Sequence, residues 1–213
     1  MTPGAPAARA PLSRSAWLAC GSILAWLVAN AGTLDIWLAN GSAALALGSA
    51  VLLFDRAAST ALLRPNVRLL LLGGAVGASM AAATYRLYAL VLRGWPFVAT
   101  DMAHLYAAFR APSTVVAAAA LVPVIVGEEL VWRGVVQTLF VQRLGLLRGV
   151  TGAALVYALV QAPLGSPSLV VAAFSCGLVW SALRAATGSL VPTLVAHLLW
   201  DFAVLLWMPL DAR

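Results

Sequence analysis

The chain contains no lysine; all 13 of its basic residues are arginines. Charge of either sign is scarce, at 9% of 213 residues, against about 25% in an ordinary soluble domain. That shortage excludes a solvated globular surface. Cysteine is nearly absent too. Cys20 and Cys176 both lie inside apolar runs and read as small buried hydrophobes, which leaves no disulfide framework. The net charge of +6 comes from arginines scattered between apolar stretches rather than clustered, and this argues against a nucleic-acid partner. Internal repeats and linkers are missing beyond the Ala/Pro-rich start, so residues 1–213 read as one domain.

Apolar residues are what the chain does have, at 63% with a mean hydropathy of +0.97. Long apolar runs recur along nearly its whole length, which predicts an all-α, polytopic transmembrane helical bundle. The start, "MTPGAPAARAPLSRSAWLACGSILAWLVA", has the order of a signal peptide, but no small-residue cleavage site leads into a polar mature domain. It reads as a retained first helix. Hydropathy and arginine positions predict about seven spans, at 16–34, 38–54, 67–91, 113–142, 149–163, 168–184 and 189–207. The loop between the second and third spans runs from Asp55 to Arg68.

If the N-terminus is cytoplasmic, Arg9, Arg14, Arg56, Arg64, Arg68, Arg143, Arg148 and Arg184 share one side. Arg86, Arg93, Arg110 and Arg213 fall toward the other, and Arg133 lies within a span. The positive-inside rule then predicts a multi-pass protein of the cell (inner) membrane, N-terminus in and C-terminus out. The link "RGWPFVATDMAHLYAAFRAP" reads as an amphipathic surface helix anchored by Trp95, Tyr106 and Phe109, with His104 as an interfacial residue. The remaining tryptophans read as lipid-facing or belt residues.

Against this background "VPVIVGEELVWRGVV" is anomalous, because Glu128 and Glu129 are the only glutamates in the chain. Ionisable groups inside a span cost several kcal/mol and usually face the bundle interior to serve a function. Glu129 and Arg133 are four apart, about 40° around a helix, so they share a face and can pair. Glu128 is about 100° away and points elsewhere, free of that cation. The same four-residue spacing joins His197 to Asp201 in the last span and Tyr157 to Gln161 in the fifth. Glu128, Gln161 and His197 each lie thirteen to fifteen residues from Arg143, Arg148 and Arg184 respectively. That is roughly 20 Å from the arginine-bearing rim. Three polar side chains on three helices are thus expected at one level.

"GEELVWRG", the aromatic-xxx-polar pair, and "RAATGSLVPTLVAHLLWDF" together resemble the CPBP family of membrane proteins, which includes CAAX-type prenyl proteases and bacteriocin-processing or immunity proteins. The resemblance covers residues 113–207. The family pattern is Glu-Glu-x-x-x-Arg, then Phe-x-x-x-His, then His-x-x-x-Asn or Asp. Residues 128–133 match the first element and His197 with Asp201 the third; the second departs, with Tyr157 for Phe and Gln161 for His. An amide takes no proton near neutral pH and is a poor metal ligand beside imidazole.

The resemblance implies peptide hydrolysis within the membrane by a glutamate-activated water. Glu128 would be the base, His197 and Asp201 would face the oxyanion, and Gln161 would position water or substrate. An alternative reading makes Asp201 the group that orients the imidazole. Glu129, Arg133 and Tyr157 would be structural or tuning residues. No cofactor is required, although Glu128, His197 and Asp201 are conceivable ligands of a divalent metal. The partners would be membrane lipid and a membrane-associated protein tail or peptide precursor. Two other classes compete. One is an inactive family member serving as a membrane peptide-binding, immunity or scaffold protein; the other is a small transporter using Glu128 and His197 as a proton relay.

Overall fold

The structure, a computed structural model, describes residues 14–32, 34–54, 56–110 and 113–212. Arg9, Asp55 and Arg213, used above to place and orient the spans, lie outside the described residues. Among those residues every regular element is helical: α1 (Arg14–Ala31), α2 (Ile36–Phe54), α3 (Arg56–Leu62), α4 (Val67–Gly94), α5 (Phe97–Ala108), α6 (Thr114–Glu128), α7 (Gln137–Leu144), α8 (Leu146–Leu159), α9 (Pro167–Thr187) and α10 (Val191–Asp201). The fold is an all-α polytopic bundle. In hydrocarbon the backbone must satisfy itself, and a helix does so within one segment. Five stretches are long and apolar enough to cross a membrane: 36–54, 67–94, 114–144, 146–164 and 167–187. Two shorter apolar helices, 15–31 and 191–207, accompany them.

The stretch 114–144 runs without a break through α6, a π-helical segment at Glu129–Val136, and α7. A second π segment, Phe202–Trp207, continues α10. Wide π turns often occur at functional sites, and here each one starts at or directly beside an acidic residue, Glu129 or Asp201.

Differences from the expected elements are local. The fifth span reaches Leu164 as expected, but its α-helix ends at Leu159, leaving Gln161 just beyond α8 at the head of a 3-10 turn, Ala162–Leu164. Pro163 sits in that turn and Gly165 closes it at φ 77°; the proline has no N–H to continue a ladder. The arginine loop after α2 contains the short helix α3, too brief to carry a period. Cys20 is exposed on the outside of the bundle, and only Cys176 is buried; both are free thiols. Trp26, Trp132 and Trp180 are fully buried core residues, contrary to a lipid-facing reading.

Small residues let the backbones cross closely. α10 packs on α4, where a Cβ on Gly77 would stand 2.8 Å from the Ala196 carbonyl oxygen. Small-xxx-small spacing, seen here as Gly73 and Gly77, is a common basis for membrane helix packing. Gly77→Leu should therefore push α10 off α4 and lower stability by about 1–3 kcal/mol. A thermal unfolding midpoint in detergent that matches wild type would show that the crossing relaxes without strain.

Two sets of connections mark the two ends of the bundle. At one end Leu190 N–H and Ser189 Oγ both donate to the Leu62 carbonyl, joining the α3–α4 and α9–α10 turns. At the other end Trp37 Nε1 donates to the Phe109 carbonyl, and Asn30 Nδ2 to the Val160 carbonyl. The first end carries Arg64, Arg143 and Arg184 nearby. The second holds the site.

Candidate active site

Four elements bring the polar residues together: the α6–π junction supplies Glu128 and Glu129, α8 Tyr157, the turn after it Gln161, and α10 His197 and Asp201. Glu128, Tyr157, Gln161, His197 and Asp201 all line one cavity of about 170 Å³. The shared depth expected from the sequence is thus a shared chamber. Its remaining walls are mostly apolar, including Leu121, Val124, Cys176 and Trp200.

Inside it, His197 is held from one side. Its Nδ1 lies 2.9 Å from Glu129 Oε1, the same oxygen that accepts from Arg133 Nη1 at 2.9 Å. A carboxylate there accepts the Nδ1 proton, leaving Nε2 to face the chamber. Nε2 lies 3.8 Å from Glu128 Oε2 and 3.7 Å from Asp201 Oδ2. Both distances exceed a direct hydrogen bond.

The two glutamates, on neighbouring faces of one helix, therefore meet the same imidazole of α10 from its two nitrogens. The group that orients the ring is Glu129 rather than Asp201. Arg133 in turn is fixed over the Tyr157 ring, 4.4 Å from its centroid, and over Trp180 at 5.0 Å. Such cation–π contact holds a buried guanidinium in place while its charge meets Glu129. The pair is buried at 1% and 0% exposure.

Several contributors escaped the sequence reading. Trp180 stacks on His197 with ring centroids 3.7 Å apart; a tryptophan in an apolar span gives no signal that distinguishes it from a belt residue. Asn30 on α1 donates to Gln161 Oε1 at 3.0 Å. As a buried amide in an otherwise apolar first span, Asn30 was the one such clue available. The Tyr157 hydroxyl donates to Glu128 Oε2 at 2.9 Å, a contact that an aromatic at that position did not foretell.

α5 closes the chamber at the second end, where Met102, Leu105, Tyr106 and the following Phe109 line it. Of the three expected surface anchors, only Trp95 points outward; Tyr106 and Phe109 turn inward. His104 is exposed and does not line the chamber. The Tyr106 hydroxyl donates to the Val204 carbonyl and accepts from Leu210 N–H. Asp101 Oδ2 accepts from Ser166 Oγ at 3.0 Å and Ser168 N–H at 2.9 Å, tying α5 to the start of α9.

Burial pushes the Asp101 carboxyl up, but the hydrogen bonds from Ser168 and Ser166 outweigh it and hold the group below its ordinary value. A depressed carboxyl stabilises the state in which it is ionised. The latch is thus at full strength above the unfolded value of about 3.9 and is lost as pH falls through the lower folded one. Amide exchange over residues 97–109, corrected for intrinsic rates, should accelerate below about pH 4. It should accelerate at neutral pH in Asp101→Ala; full protection in that variant would remove Asp101 from the closure.

Apolar spans enclosing a chamber of carboxylates and an imidazole define a polytopic membrane protein with a buried, hydrolase-like site. Residues 110–203 match the family model Rce1-like, described as type II CAAX prenyl endopeptidase. That stretch contains Glu128, Glu129, Arg133, Tyr157, Gln161, His197 and Asp201. The part of the chain that carries the site is therefore similar to a family of CAAX-type endopeptidases, in keeping with the resemblance its motifs carry. No curated protein and no solved structure matches the chain.

Proposed function

We propose that the protein is an intramembrane endopeptidase in which Glu128 takes a proton from water as that water attacks a peptide carbonyl. One observation carries this reading. Glu128 Oε2 and Asp201 Oδ2 approach His197 Nε2 to 3.8 and 3.7 Å in an apolar-walled chamber, gaps at which a water can bridge the imidazole and Glu128. As the water oxygen bonds to the carbonyl carbon, its proton passes to Glu128. The carbonyl oxygen gains charge, and the proton goes on to the departing amine nitrogen when the C–N bond breaks. The products are an acid and an amine.

His197 Nε2 faces the site of that charge; with the Nδ1 proton committed to Glu129, donation from Nε2 uses the imidazolium form. Asp201 balances the imidazolium. Gln161, tethered by Asn30, presents an amide to the substrate backbone. Glu129 and Arg133 hold the imidazole. No cofactor enters the scheme. Among the described residues no group of three or more His, Cys, Asp and Glu stands out as a metal site, and no step is routed through a metal.

The apolar chamber suits a membrane-associated protein tail or a hydrophobic peptide precursor. Its connections lie at the end of the bundle opposite Arg64, Arg143 and Arg184, so the positive-inside rule puts the N-terminus in the cytoplasm and favours an exported segment as substrate. The cell's inner membrane is the natural setting. The second reading, an inactive member that binds peptides as an immunity or scaffold protein, has Gln161 in its favour, since an amide cannot replace an imidazole in proton transfer.

The deciding experiment is cleavage of a panel of tagged membrane-protein tails by the purified protein in lipid, with and without a chelator. Cleavage that persists in chelator and vanishes in Glu128→Ala supports the protease. Tails that bind but stay whole, with wild type and with Gln161→His, support the binding protein.

A further inference from the structure

We propose that Tyr157 is the positioning residue for Glu128 and fixes its orientation through its hydroxyl. The inference rests on Glu128 acting as the base. In the family pattern the second element pairs a phenylalanine with a histidine; this chain changes both positions, gaining a hydroxyl at Tyr157 as it loses an imidazole at Gln161. The structure gives the two changes a common meaning.

The Tyr157 hydroxyl donates to Glu128 Oε2 at 2.9 Å. That is the carboxylate oxygen nearest His197 Nε2, at 3.8 Å, and therefore the one facing the shared water. Gln161 is otherwise engaged, its carbonyl oxygen accepting from Asn30. The phenol is fixed from three directions. Trp132 and Trp180 pack edge-on at 5.6 and 6.4 Å, and the Arg133 guanidinium covers its face. A ring clamped in this way cannot follow a carboxylate that rotates, so the hydroxyl sets the rotamer of Glu128.

A carboxylate oxygen has two lone-pair directions. One receives the tyrosine hydrogen bond, and the other is left directed at the chamber. Tyr157 keeps its own proton throughout; the proton abstracted from water resides on Glu128 until the amine leaves. The hydroxyl thus aligns the base without entering the proton count. Its contribution falls on the chemical step and not on substrate binding, because it touches Glu128 and not the peptide.

The test uses the full-length protein in lipid with a tail shown to be cleaved, comparing Tyr157→Phe, Gln161→His, the double variant and Glu128→Gln. Tyr157→Phe keeps the ring and its packing. It is expected to lower kcat by about 10- to 100-fold, the value of a hydrogen bond to a charged group, with KM within about two-fold. The double variant restores the family's own pair and should recover most of that loss, an outcome that a merely structural tyrosine would not produce. Wild-type kcat in Tyr157→Phe, alongside a dead Glu128→Gln, overturns the inference and leaves the protease intact. An active Glu128→Gln overturns the assignment of Glu128 as the base, on which the inference rests. A readout free of turnover accompanies these: the infrared carboxyl band that Glu128→Gln removes should shift in Tyr157→Phe, and an unmoved band also overturns the inference.

Discussion

Glu128→Gln is expected to reduce cleavage by about 10²- to 10⁴-fold, the range over which a positioned general base contributes. The amide preserves volume, and its carbonyl oxygen can still accept from the Tyr157 hydroxyl, so the chamber keeps its shape. What disappears is the capacity to take a proton from water. Binding should survive, because the apolar walls are unchanged, and the loss should appear in kcat with KM little altered. A single-turnover assay in lipid separates the two. Turnover within a few-fold of wild type would move the base elsewhere, and Asp201, whose Oδ2 lies 3.7 Å from His197 Nε2, would be the next residue to test.

Arg133→Met should produce the largest loss of stability of any single substitution in the site. The guanidinium meets Glu129 at 2.9 Å with both side chains fully buried. Removing one member of such a pair leaves a buried charge without its cation and away from water, at a penalty of about 3–5 kcal/mol. His197 would still contact Glu129 Oε1 through Nδ1, but that oxygen would have lost its cation. The stack of Arg133 over Tyr157 and Trp180 would collapse as well. Thermal unfolding in detergent should show a lower midpoint, and Glu129→Gln together with Arg133→Met should recover part of it by removing the orphaned charge. A single variant as stable as wild type would mean that water reaches Glu129, contrary to its burial.

The long apolar spans were legible because period and composition both survive in single sequence; the stretch 114–144 was expected at 113–142 and α4 at its observed start. Residues with an anomalous cost in hydrocarbon were legible for the same reason. Glu128, Glu129, Arg133, His197 and Asp201 stood out by being charged where charge is expensive. Equal distances from the arginine rim brought Glu128, Gln161 and His197 to one level, and the chamber contains all three. Glu128 carries no ion pair with Arg133, as its spacing predicted, but that both glutamates would flank one imidazole depends on where α10 docks and has no local signal. Trp180 was missed because apolar side chains look alike whether they face lipid or an imidazole. The inward turn of Tyr106 and Phe109 depends on where α5 docks, which is a matter of long-range contact and not of local pattern.

The chamber does not end at its catalytic wall. A neighbouring cavity of about 230 Å³ shares Trp37, Tyr106, Phe109 and Leu205 with it, so a substrate of the proposed protease has a passage beneath α5 along which its length can run. Only the one or two residues flanking the scissile bond would then be read by close fit. Selectivity in such a protein is a matter of girth at the cut and of the chain's ability to thread. Widening the wall at Leu121 or Val124 should broaden the residues accepted there more than it changes which proteins are recognised.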